Sequence, residues 1–177
     1  HQEAANHAVK SGIEAFIERH PDAQDIQAAL VAIRPRDGAI TAMVGGSSYK
    51  KTKFNRAIQA KRQPGSAIKP FVYLAALNEG FTPSTVLMDT PYEYIDPKTK
   101  VSWKPRNYDK KFRGPVTLRS SLEDSLNVPT AKLIDKIGLE VFLSAVKQAG
   151  VETGLPPYRS TALGSGEVTL LELCNAY

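Results

Sequence analysis

Cysteine is almost absent: the 177 residues hold one, Cys174, so the chain has no internal disulfide framework and no cluster of thiols for a metal or redox centre. Cys174 falls on an apolar helical pattern, which predicts a small buried hydrophobe. Histidine is scarce as well. His1, His7 and His20 all lie within the first twenty residues, without the Cys or acidic spacing of a zinc site, so neither a metal nor a cofactor is expected. No apolar run reaches the 18 residues of a membrane-spanning helix, and the start at His1 shows no signal-peptide pattern. Internal repeats and low-complexity runs are missing too.

What is present is ordinary for a globular chain, 42% apolar and 23% charged residues, enough for one domain that buries roughly two-thirds of its unfolded surface. The formal charge of +5 and pI near 9.3 raise the question of a polyanionic partner such as nucleic acid, anionic lipid or an acidic cell-surface polymer. The basic residues are dispersed, however. Those between Lys98 and Arg113 have no period and read as a solvated loop, and no nucleic-acid motif occurs, so no nucleic-acid partner is expected.

Ala5, Val9, Ile13 and Phe16/Ile17 recur on one stripe, which predicts an amphipathic helix ending before "HPD". An Asp-Gly turn then predicts a hairpin of residues 28–33 against 39–44, apolar enough to be buried on both faces. The polar stretch "GGSSYKKTKFNRAIQAKRQPG" reads as loop with a short helical turn, and "KPFVYLAALNEG" as a buried helix closed by Gly80. The proline-rich stretch 81–115 predicts a long connection with at most short strands around residues 92–95. The last third predicts helices: one behind a Thr117 N-cap with Leu118, Leu122 and Leu126 on one face, two ending on glycines, and a last one opened by a Thr169/Glu172 capping box. The class is α+β.

Within "RQPGSAIKPF" a Pro-Gly turn delivers Ser66, and Lys69 follows three residues later. A serine hydroxyl needs a base within hydrogen-bond reach, and i,i+3 spacing puts two side chains on one helix face. Burial among Ala67, Ile68, Phe71 and Val72, together with the positive end of a helix, lowers a lysine's pKa and lets it act as that base. The Ser66 N–H is a candidate oxyanion donor. Pro70 confines the pair to a helix start, whether the helix begins at Ser66 or at Pro70. Some sixty residues on, "SLN" places Ser125 and Asn127 at a helix–helix corner. A hydroxyl and a carboxamide there suit proton relay and amide binding, and Asn127 is also read as a plain helix C-cap.

SxxK followed by SxN is the pattern of active-site serine penicillin-recognising enzymes. The stretches "FNRAIQAKRQPGSAIKPFVYLAAL", "WKPRNYDKKFRGPVTLRSSLEDSLNVPTAKL" and "ALGSGEVTLLEL" resemble the transpeptidase domain of class A (bifunctional) penicillin-binding proteins, and "LVAIRPRDGAITAMVGG" resembles its first hairpin. The resemblance implies the α+β, β-lactamase-like serine transpeptidase fold, here in part: an N-terminal helix and β-hairpin plus a mostly helical subdomain. It further implies that Ser66 attacks the penultimate D-alanine of a peptidoglycan stem peptide, that Lys69 is its base and that Ser125 relays the proton. Asn127 would hold a substrate amide, with Trp103 and Asn107 beside the cleft, and β-lactams would acylate Ser66.

The family's third motif, Lys-Thr/Ser-Gly on an edge strand, does not occur in these residues; "KTK" at 51–53 lacks the glycine. The resemblance therefore predicts that residues 1–177 form part of a transpeptidase domain, without the glycan-polymerising domain and N-terminal membrane anchor of a parent at the extracytoplasmic face of the bacterial cell membrane. A polypeptide completing the domain is a further candidate partner. The alternative expectation is a non-catalytic module that docks cell-wall polymer or partner proteins.

Overall fold

The computed structural model describes residues 1–50, 52–97 and 99–177; Lys51 of the KTK triplet and Lys98, first of the basic stretch, lie outside the described residues. Helix α1 (Gln2–Arg19) precedes strands β1 (Leu30–Ile33), β2 (Ile40–Val44) and β3 (Lys61–Arg62). A 3₁₀ turn, Gly65–Ile68, opens helix α2 (Lys69–Asn78). Strands β4 (Val86–Asp89), β5 (Tyr94–Ile95), β6 (Ser102–Trp103) and β7 (Gly114–Thr117) follow, then helices α3 (Leu118–Glu123), α4 (Asn127–Ile137) and α5 (Leu139–Gln148). A second 3₁₀ turn (Arg159–Leu163), strand β8 (Val168–Thr169) and helix α6 (Leu170–Ala176) end the chain. The fold is α+β, with antiparallel ladders β1–β2, β3–β8, β4–β7 and β5–β6 among the described residues. The chain divides into two compact units, residues 1–62, 149–154 and 167–177 in one and residues 63–148 and 155–166 in the other.

In the first unit the expected stripe of α1 is the core: Ala5, Val9 and Ile13 pack with Ala42 and Val44 of β2, and Ile17, Ile26 and Leu30 close around them. The hairpin pairs Leu30 with Val44 and Val31 with Met43, with an irregularity between Ala32 and Ile33. Its burial is less than the sequence predicts. All of β1 is only half-buried, and β2 alternates from an exposed Ile40 to a buried Val44, the pattern of a strand with one face in the core. Gln2 lays its side-chain amide along β2, donating to Met43 O at 3.0 Å and accepting from Met43 N at 3.0 Å, as a neighbouring strand would. The Thr169/Glu172 capping box of α6 forms as predicted, and Glu172 also accepts from Thr153 N at 2.7 Å. Cys174 is half-buried, not buried, because α6 is short and has no fully buried residue.

The second unit is built around α2. Phe71, Val72, Tyr73, Ala75 and Ala76 are buried, as are Val128, Ala131, Leu133 and Ile134 of α4 and Phe142 and Val146 of α5, two helices that α2 touches. Tyr73 and Thr130 link α2 to α4 through buried hydroxyls 2.9 Å apart, and Thr130 donates onward to Leu126 O at 2.6 Å. Burial pushes the Tyr73 phenol up to about 12. The stretch 81–115 is more ordered than its prolines suggest. β4 pairs with β7, Met88 opposite Pro115, in a two-stranded ladder where a strand with one unpaired side tolerates a residue that has no N–H. Strand β4 alternates, with Val86 and Met88 exposed and Leu87 and Asp89 buried.

Candidate active site

The turn that carries Ser66 is fixed by glycines on both sides of a close backbone contact. Gly65 has a φ of +54° and Gly164 of +84°, values that L side chains rarely adopt. The Gly65 N–H donates to Gly164 O at 3.3 Å, and a Cβ on Gly164 would come within 2.1 Å of Gly65 O. A side chain at 164 would therefore displace the residue immediately before Ser66. From that turn the chain exposes Ser66 and buries Ile68 and Lys69, with Lys69 only 1% exposed. The α-helix begins at Lys69, whose N–H donates to Ser66 O, so Pro70 occupies an early position where its missing N–H costs nothing.

The Lys69 ammonium reaches across to the SLN segment. Nζ donates to Ser125 O at 2.6 Å, to Ser125 Oγ at 3.1 Å and to Asn127 Oδ1 at 2.7 Å. These contacts use all three hydrogens of a protonated amine. Among the described residues no hydrogen bond joins Lys69 to Ser66 Oγ. Burial holds the Lys69 amine down at about 8, well below the ordinary lysine range, which makes the neutral form accessible near physiological pH.

The SLN segment is held as a corner of defined geometry. Ser125 sits in the left-handed region at φ +52°, and its N–H donates to Leu122 O at 3.0 Å. The structure corrects the reading of Asn127 as a helix C-cap. Asn127 is the first residue of α4, because the left-handed Ser125 ends α3's exit turn and Leu126, extended, starts the next helix. Asn127 donates through Nδ2 to Arg106 O at 2.8 Å, and its second Nδ2 hydrogen has no partner among the described residues.

Asn107 lies directly behind this corner, 4% exposed, and its Oδ1 accepts from Asn127 N at 3.0 Å and from Val128 N at 3.1 Å. Trp103 takes part in none of the hydrogen bonds that join Lys69, Ser125, Asn127 and Asn107. It meets Tyr92 edge-on, 6.4 Å between ring centres, and lines a cavity of about 440 Å³ with Tyr94, Tyr158 and Arg159. Ser66, Lys69, Ser125 and Asn127 do not line that cavity. Among the described residues no three His, Cys, Asp or Glu side chains converge as a metal ion would require. The arrangement is thus a buried amine of lowered pKa bonded to a hydroxyl and a carboxamide, three residues along the chain from an exposed serine.

The profile of the penicillin binding protein transpeptidase domain matches residues 28–173. The chain belongs to that family. Penicillin-binding protein 1A of Aquifex aeolicus is 46% identical over 153 residues, 86% of this chain and 21% of the relative. Penicillin-binding protein 1A of Pseudomonas aeruginosa is 41% identical over 152 residues, 85% of this chain and 18% of the relative. The chain therefore spans about one-fifth of the length of these curated relatives. The crystal structure of penicillin-binding protein 1A from Haemophilus influenzae superposes with a TM-score of 0.81 at 38% identity, over 85% of this chain and 23% of the other. PonA1 from Mycobacterium tuberculosis in complex with penicillin V shares the fold, with a TM-score of 0.75 at 24% identity over 96% of this chain and 47% of the other.

Two residues of this penicillin-binding domain were not singled out from the sequence. Gly164 lies in "ALGSGE", and nothing local marks it as the partner of Gly65. Asp89, fully buried against Asn107, carries one signal: it shares the inward phase of β4 with Leu87, legible only once residues 86–89 are read as a strand.

Proposed function

We propose that this chain carries the acylating centre of a peptidoglycan D,D-transpeptidase, a serine acyltransferase of cell-wall synthesis that β-lactams also acylate. The observation that carries the reading is the Lys69 amine, buried, lowered in pKa and bonded to both polar side chains of the SLN motif, one helical turn from an exposed Ser66. Ser66 Oγ attacks the penultimate D-alanine carbonyl while neutral Lys69 takes the hydroxyl proton. The tetrahedral intermediate collapses with cleavage of the C–N bond, and a proton passes through Ser125 to the departing D-alanine nitrogen. An amine of a neighbouring stem peptide then attacks the acyl-Ser66 ester and regenerates the hydroxyl; water in its place gives carboxypeptidase turnover. The open Nδ2 hydrogen of Asn127 is the donor for a substrate amide carbonyl. In this reading the full-length gene product works at the extracytoplasmic face of a bacterial membrane, on peptidoglycan stem peptides.

The direct test is labelling of the full-length gene product with a fluorescent penicillin. The wild type acquires a covalent label and Ser66→Ala loses it, whereas labelling that survives in Ser66→Ala removes Ser66 from the nucleophile's role.

A further inference from the structure

Asn107 makes every hydrogen bond its amide can make, and none is left for a substrate. Its Oδ1 spends both lone pairs on the Asn127 and Val128 N–H groups. Its Nδ2 donates to both oxygens of Asp89, each at 2.9 Å, and to Lys111 O at 2.8 Å. The partners fix which end of the amide is which, because backbone N–H groups can only donate and a backbone carbonyl can only accept. Asp89 is 0% exposed and is itself held by the Arg113 N–H at 3.0 Å, with the Arg113 guanidinium 3.9 Å away.

The consequence falls on the start of α4. A helix leaves its first four N–H groups without intrahelical partners. Here Leu126 N donates to Ser121 O at 2.9 Å, Asn127 N and Val128 N go to Asn107, and the fourth residue, Pro129, has no N–H. The side chain of Leu126, at the N-cap position, cannot accept a hydrogen bond, so the cap comes from twenty residues away in sequence. The same two peptide units that Asn107 grips lie next to the Ser125 and Asn127 groups that receive the Lys69 amine.

We infer that Asp89 and Asn107 form a buried positioning pair that sets the Ser125–Asn127 corner against Lys69, with Asn107 serving as a remote helix cap rather than as a substrate ligand. This rests on the transpeptidase reading for its activity readout. Asn107→Asp keeps an oxygen for the two N–H groups but sets a second carboxylate against Asp89, while Asp89→Asn turns a donor toward the Asn107 amide. The double exchange, Asp89→Asn with Asn107→Asp, restores an amide donating to a carboxylate that caps α4, and leaves Lys111 O as the one partner of residue 107 without its donor.

The experiment measures the second-order rate of fluorescent-penicillin acylation of the full-length gene product against pH, with thermal unfolding of each variant and amide hydrogen exchange of the wild type. Each single exchange is expected to slow acylation about 10–100-fold, and the double exchange to recover at least tenfold over the slower single, on the order of a coupled buried pair. The acylation midpoint should also move to lower pH in Asp89→Asn, where a buried negative charge is lost and the acceptors that favour the charged Lys69 are displaced, and return in the double. A pair with only a stability role would lower the melting temperature and leave the midpoint where it is, and that result overturns the inference, as do single variants that acylate at the wild-type rate. In the unmutated protein the Asn127 and Val128 amides should exchange slowly; rapid exchange contradicts the cap even if no variant folds. Loss of Ser66-dependent labelling in the wild type would instead strike the transpeptidase reading and leave the exchange result standing.

Discussion

Lys69 is a cation buried to 1% exposure with its amine held at about 8, against 10.5 for a free side chain. Burial disfavours the charged form, so the folded protein gives up this proton more readily than the unfolded chain does. Between pH 8 and 10.5 the unfolded state then binds more protons, and the stability contribution of this site rises with pH across that window. Penicillin acylation, which in the proposed mechanism needs neutral Lys69, should rise about tenfold per pH unit below 8 and level off above it. A stopped-flow or gel-based acylation series checks this, and a rate independent of pH from 6 to 9 would exclude Lys69 as the base. Gly164 is the other residue where one atom decides. A Gly164→Ala methyl would lie 2.1 Å from Gly65 O at a φ of +84°, a cost of about 2–4 kcal/mol from combined clash and left-handed strain. Its unfolding midpoint in urea should fall accordingly, with acylation slowed in the fraction that remains folded. An alanine variant as stable as the wild type would show that the two turns do not touch.

Capping and pairing were legible in the sequence to different degrees. The Thr117 and Thr169 caps could be read from local text because an N-cap needs only a hydroxyl three residues before its partner N–H. The α4 start could not, since its cap is Asn107, brought there by the chain's path through β5, β6 and β7 and invisible to any short window. The β4–β7 ladder was missed for the same reason: its four residue pairs join segments nearly thirty apart, and Pro115 argues against a strand until the partner is known. Glu172 closes the α6 cap. Burial works against its ionisation, but bonds from the Thr169 and Thr153 backbone and hydroxyls prevail and hold the carboxyl at about 2. Its stabilising effect is complete above about 4.5 and is lost as pH falls towards 2. Glu172→Gln should cost about 1–2 kcal/mol at pH 7, and the gap between variant and wild type should close as pH drops through that range; urea melts at several pH values measure it.

At the scale of the whole molecule, the residues proposed to do chemistry come from two separated segments of the second unit, residues 66–69 and 125–127, which the Lys69 amine joins. The positive charge is partly spent on pairing. Lys104 meets Glu93 at 3.2 Å and Arg113 meets Asp109 at 3.0 Å, which supports the reading of that stretch as a surface segment. The α+β class and the SxxK and SLN motifs were legible because the motifs are short and the helices strongly patterned. Which residues hold the motifs in place was not, because Asp89, Asn107 and Gly164 act through long-range contacts. The central claim is that Ser66 is the group acylated, with Lys69 as its base. Mass mapping of the peptide that retains penicillin, in the full-length gene product at pH 8, tests it most directly. The adduct is predicted on Ser66 and reduced at least about 10³-fold in rate by Lys69→Met, in line with loss of a nucleophile's base. An adduct on any other residue, or a rate unchanged in Lys69→Met, would contradict it.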